Sequence, residues 1–251
     1  MDGLLGAIVA YLTDPATYEG RFALQSLLVQ HVALTAVSTL IAGAIAIPLG
    51  LWIGHRGRGE LGVVAAANTG RAVPDFGIIL IALLILGLGS APTVIALVAL
   101  AIPPILINSY VGIRQVDPDV RDAAEGSGMT GWQVLLQAEL PVAVPLVMTG
   151  VRTAAVQVVA TATLAGVVGG GGLGRIMFDG FAAGVTRGDP PPGLARVVVA
   201  SVLVAVLAIA TELTLGRLER VLTPRGLRAQ EGTLEEQPDP DMPALTTRQA
   251  S

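Results

Sequence analysis

Residues Asp122 to Pro141 read DAAEGSGMTGWQVLLQAELP. Acids, small residues, a Trp and a Leu-Pro interrupt a chain otherwise dominated by Ala, Val, Leu, Ile and Gly. Neither this stretch nor the rest of the chain carries a catalytic constellation. There is no G-x-S-x-G, no H-E-x-x-H and no pair of carboxylates spaced for acid–base work. Cysteine is absent, which removes thiol catalysis, disulfides and Cys-ligated metals. His31 and His55 lack metal-ligand spacing, and His55, beside Arg56 and Arg58, reads as solvated. The chain is therefore not read as an enzyme, and the chemistry left to the polar stretch is recognition.

Its local signals support that reading. Asp117-Pro118 suits a helix start, the Asp capping free N–H groups and the Pro occupying the first turn. A helix over 118–125 is expected, bent or stopped by Gly126-Ser127-Gly128. Thr130 and Gln133 have capping-box spacing, which predicts a second short helix ending near Glu139, with Leu140-Pro141 opening the next apolar run. An ordinary surface loop of this length would be unstructured. This one has caps, and Ala123, Ala124 and Gly128 leave room for another protein to come close.

Other candidates are weaker. Gly169-Gly170-Gly171-Gly172-Leu173-Gly174 lacks the Lys-Ser or Lys-Thr of a phosphate loop and ends an apolar run, so a tight turn is expected. Polar residues inside apolar runs are costly and often functional. Asn108, Arg152, Gln157, Thr161 and Thr163 are candidates either to line a pathway or to bond between helices. Arg152 is expected near the inner end of its run, snorkelling to the surface. The nine aromatics are scattered, so a cation–π cage for a quaternary ammonium group is not expected.

The elements that must position these residues are membrane spans. Of 251 residues 53% are hydrophobic and 14% charged, with mean hydropathy +0.71. Apolar runs reach roughly 20 residues, enough to cross about 30 Å of hydrocarbon. The fold class is all-α, a polytopic helical membrane protein. Five spans are expected, near 30–54, 61–88, 92–113, 141–168 and 194–216. The second is interrupted at Val73-Pro74-Asp75, which makes six if it divides.

All basic residues are Arg. With five spans, Arg56, Arg58, Arg114, Arg121, Arg217, Arg220, Arg225 and Arg228 fall on one side, and Arg21, Arg175, Arg187 and Arg196 on the other. The positive-inside rule then places the polar island, residues 114–140, in the cytoplasm, with the N-terminus outside and the C-terminus inside. Residues 1–26 form an extracytoplasmic N-terminal segment without a basic leader, 27–216 the transmembrane domain, and 217–251 a cytoplasmic tail. Most of that tail's acids lie in 229–251, a polar, Pro-containing stretch expected to be disordered.

The island resembles the EAA loop of ABC-importer permeases, whose pattern is Glu-Ala-Ala, three residues, Gly, nine residues, then Ile-x-Leu-Pro. Asp122-Ala123-Ala124, Gly128 and Ala138-Glu139-Leu140-Pro141 fit that spacing, with Asp122 in place of Glu and Ala138 in place of Ile. The runs LGLGSAPTVIAL, PPILINSYVGI, VDPDVRDAAEGSGMT and ELPVAVPLVMTGVRTA, with GGGGLG, are similar to the family's osmoprotectant branch, for glycine betaine, carnitine, choline or proline. The resemblance implies that Asp122, Ala123, Ala124, Gly128, Leu140 and Pro141 couple to a separate cytoplasmic ATPase. Arg121 and Glu125 are either rim contacts or solvated charges. It also implies an extracytoplasmic substrate-binding protein and a second permease chain, identical or related, in a bacterial-type inner membrane. ATP and Mg would be held by the ATPase and no cofactor by this chain; nucleic acid has no role. Methionine or a sulfonate is the alternative cargo. A self-sufficient secondary transporter is more distant, since only Asp75 and Glu212 stand near span interiors.

Overall fold

The computed structural model describes residues 2–65, 74–186 and 190–224. Within them the chain is helical and forms no strand. Helix α1 covers Asp2–Thr13 and α2 covers Leu24–Arg56. A helix α3 begins at 60–65, followed by α4 at Asp75–Leu86 and α5 at Ser90–Arg114. Then come α6 at Pro118–Gly126, α7 at Gly131–Gly166, α8 at Leu173–Thr186 and α9 at Pro190–Leu222.

Four of the described helices are long and apolar enough to cross a membrane: α2, α5, α7 and α9. The expected second span breaks at Pro74, as its sequence suggests. Its second half, α4, has 12 residues, or about 18 Å of helix, too short to cross alone. Part of that span, residues 66–73, lies outside the described residues, as do Arg187 and most of the expected tail.

Two boundaries differ from the sequence expectation. The last span was expected to end near 216, but α9 runs on to Leu222. The island's second helix is not separate from the following span. From Gly131 the chain stays helical through Pro141, by way of a π turn at Val134–Glu139. The wider turn loosens the backbone just before Pro141, which lacks an N–H and would crowd a regular helix there.

Small residues set the helix crossings, as expected where apolar surface alone gives no drive to associate. A Cβ on Gly50 of α2 would come 2.6 Å from Ser109 Cβ of α5, and one on Gly54 2.8 Å from Ile113 Cβ. Gly150 of α7 similarly admits Asn108, at 2.7 Å. Between these crossings Ala42, Ala46, Leu97, Ala101, Ile105, Ala154 and Val158 form the buried core of α2, α5 and α7. At the opposite end from the island, Leu24, Leu27, Leu173, Ile176 and Ala200 tie α2, α8 and α9 together, with Tyr11 of α1 against them.

The glycine run is a turn. Gly169, Gly171 and Gly172 have φ between 72° and 84°, the left-handed region that side chains avoid. Gly174 serves a different purpose: a Cβ there would overlap the Thr163 carbonyl. The turn thus folds α8 back directly onto the last turn of α7.

Candidate functional site

The island is built as its caps require. Asp117 accepts from the Asp119 N–H at 2.9 Å, starting α6. At its other end the Met129 N–H donates to the Ala124 carbonyl at 3.2 Å and the Gly128 N–H to that of Glu125 at 2.9 Å. This is a Schellman closure with Gly128 at φ +85°. A Cβ on Gly128 would meet nothing, so backbone conformation rather than space within this chain requires the glycine. The Thr130 N–H then donates to Gln133 Oε1 at 2.8 Å and starts α7.

Of the residues expected to dock, Asp122, Ala123 and Gly128 are exposed, as is Glu125. Leu140 and Pro141 are half-buried within α7. Ala124 differs: it is only 7% exposed and faces inward, the one buried residue of α6. It is part of the fit of α6 to the rest of the chain, not of the free face. Arg121 also turns inward instead of standing at the rim.

Its destination is the feature that sequence reasoning missed. Glu139 is 0% exposed, and Arg121 Nε stands 2.5 Å from its Oε1. His55 Nδ1 stands 2.8 Å from Oε2. Arg121 Nη2 also donates to the Ile113 carbonyl at the end of α5, at 2.6 Å. One carboxylate therefore gathers the ends of α2, α5, α6 and α7. His55 is not simply solvated, as its basic neighbours suggested. An aromatic contact lies beside this joint. Trp52 and Trp132 meet edge to face at 6.1 Å, and the Arg56 guanidinium sits 4.1 Å over the Trp52 ring. A signal was present in the sequence: Leu135, Glu139, Ala143 and Val147 recur every four residues, so an acid occupies a core stripe.

The polar residues of the spans do not converge. Asn108 donates to the Pro104 carbonyl of its own helix at 2.8 Å. Thr163 donates to the Ala160 carbonyl at 2.7 Å. Gln157 is exposed on the same face as Thr149 and Thr153, and Thr161 is half-buried. Arg152 is held by two acids of another helix. It lies thirteen residues beyond Glu139, about 20 Å along the helix, and pairs across to α9. Its Nη1 is 2.6 Å from Glu219 Oε2, and its Nη2 contacts Glu212 Oε1. Glu212 and Glu219, the two acids described in α9, are thereby both engaged in ion pairs.

At the glycine end a cavity of about 440 Å³ is lined by Arg21, Phe22, Gln30 and Gly169–Gly171, among others. The Arg21 and Arg175 guanidiniums stand 5.8 and 5.1 Å from the Phe22 ring centre. Among the described residues no cluster of His, Cys, Asp and Glu is arranged to hold a metal ion.

Residues 46–223 match the family described as the binding-protein-dependent transport system inner membrane component. The chain belongs to that family. It is a membrane transport component, not an enzyme. The match takes in α5, the whole island, the ion-paired joint and both partners of Arg152. Curated relatives include the carnitine transport permease protein OpuCB of Listeria monocytogenes, 34% identical over 81% of this chain and 90% of the relative. The osmoprotectant import permease protein OsmW of Salmonella typhimurium is 32% identical over 88% and 99%. The choline transport system permease protein OpuBB of Bacillus subtilis is 31% identical over 79% and 88%. Among solved structures, inward-facing MetNI methionine ABC transporter shares the fold, with a TM-score of 0.69 over 84% of this chain and 100% of that one, at 21% identity.

Proposed function

We propose that this chain is the membrane subunit of an ATP-driven importer for small zwitterionic or cationic osmolytes of the betaine, carnitine or choline type. Relatives of about one-third identity whose names specify carnitine, choline or osmoprotectant transport support that cargo. The observation that carries the ATP-driven reading is the island. Asp122, Ala123 and Gly128 present an exposed, small-residue face on a capped helix that is anchored to the ends of three long helices. A separate cytoplasmic ATPase, holding ATP and Mg, docks on that face.

The island end then lies in the cytoplasm and the glycine end outside, in agreement with the distribution of Arg. Two permease chains, identical or related, enclose one pathway. ATP binding draws the two islands together and opens the pathway outward; hydrolysis resets it. The exposed stripe of Thr149, Thr153 and Gln157 on α7 is suited to face the pathway or the second chain, where polar groups escape lipid.

Substrate affinity belongs to an extracytoplasmic binding protein. The outer mouth supports this: the Phe22 ring is flanked by two guanidiniums, which repel a quaternary ammonium group. Purifying the chain with its binding protein and screening that protein by calorimetry tests the cargo. Binding of betaine, carnitine or choline is expected. A binding protein that ignores them and takes methionine or a sulfonate overturns the substrate.

A further inference from the structure

Helix α6 is weakly held by packing. It buries a single side chain, Ala124. If this helix receives the push of an ATPase, one buried methyl group is a poor means of passing it on. The stronger link is polar. Arg121 reaches from α6 to Glu139 of α7 at 2.5 Å and to the Ile113 carbonyl of α5 at 2.6 Å, and His55 of α2 closes on the other carboxylate oxygen at 2.8 Å.

Glu139 is also in an unexpected place. It stands in a core stripe among Leu135, Ala143 and Val147, which pack with Leu51 and Ile113. Apolar side chains of similar size replace a buried ion pair without loss of stability, and often with gain. Stability alone therefore does not account for an acid at this position. What an ion pair supplies that an apolar contact does not is direction, a fixed orientation between groups that would otherwise slide. The π turn at Val134–Glu139 places the carboxylate at the one level where α2, α5 and α6 all reach it. Such turns recur at functional positions in helices.

We propose that Glu139, clasped by Arg121 and His55, is the positioning residue through which movement of α6 reaches α2, α5 and α7 as one body. The joint stays closed throughout the transport cycle. This rests on the reading of α6 as the ATPase docking helix, and adds to it the route by which the push enters the spans.

The test uses the assembled complex of permease, cognate ATPase and binding protein in proteoliposomes. Two quantities are read: ATPase co-purification, and stimulation of ATP hydrolysis by ligand-loaded binding protein. The variant Arg121→Met/Glu139→Leu removes the ion pair without leaving an unpaired charge. It is expected to retain the ATPase to within about twofold while stimulation falls about tenfold, the scale of a typical coupling free energy. A second variant, Arg121→Cys/Glu139→Cys, joins α6 to α7 at the same place and exploits a chain with no cysteine of its own. It is expected to be uncoupled until a short bis-thiol-reactive linker bridges the pair, and coupled afterwards. Wild-type stimulation in the first variant overturns the proposal, as does a bridged pair that stays at its unbridged level. Where the first variant does not fold, the bridged pair decides. A wild-type complex that fails to retain any ATPase contradicts the docking reading itself, a result distinct from failure of the joint.

Discussion

His31 of α2 fastens the glycine turn to α7. Leu173 donates its N–H to His31 Nδ1 at 3.3 Å, so that nitrogen is unprotonated. The proton is then on Nε2, which donates to the Val159 carbonyl at 3.0 Å. The ring is fully buried, and each nitrogen serves one backbone group that has no water to turn to. His31→Leu leaves both groups unpaired. A loss of about 2 kcal/mol or more follows, or roughly 5 °C in Tm. Thermal unfolding in detergent checks this; an unchanged Tm would show that the ring's bonds contribute nothing.

The crossing of α7 and α8 makes a sharper prediction. A Cβ on Gly174 overlaps the Thr163 carbonyl, and one on Gly166 overlaps the Gly174 backbone. Neither obstacle is a flexible side chain. Gly174→Ala should therefore cost about 3 kcal/mol or more and reduce the yield of folded protein. Gly6→Ala, whose Cβ meets nothing, is the control. Size-exclusion chromatography of the two variants side by side distinguishes them. Equal monodisperse yields would mean that α8 does not approach α7 this closely.

Arg152 with Glu212 and Glu219 ties α7 to α9 far from either end of α7. The guanidinium lies over Gly216, one turn from each acid, where a Cβ would make ordinary contact at 3.7 Å from its Cζ. Arg152→Met leaves Glu212 and Glu219 without their cationic partner and should lower stable expression. The triple variant Arg152→Met/Glu212→Gln/Glu219→Gln should express better than the single one, because coupled sites are not additive. A triple variant worse than Arg152→Met would show the three residues acting independently.

Much of this architecture was legible from local signals. The Asp117 cap, the Gly128 stop and the Thr130–Gln133 pair are short-range chemistry, and each formed as written. The glycine turn was legible for the same reason. What escaped was long-range. Nothing near His55 announces Glu139, 84 positions away, and the neighbouring Arg56 and Arg58 made solvation the natural reading. The partners of Arg152 lie 60 and 67 positions on, in another span. Ala124 could not be told from Ala123 without knowing which side of α6 meets α7. The continuity of α7 through Pro141 depended on a π turn, which no residue type signals.

The account stands or falls on whether the free face of α6 carries an ATPase. Ala123 is exposed on that face and its neighbour Ala124 is buried, so the pair separates docking from folding. The decisive measurement is co-purification of the cognate ATPase with membrane-extracted wild type and Ala123→Trp, alongside the melting temperature of each. The account predicts an unchanged Tm and a loss of bound ATPase of about tenfold or more, at least about 1.4 kcal/mol of docking free energy. Stoichiometric ATPase on a folded Ala123→Trp chain would contradict it.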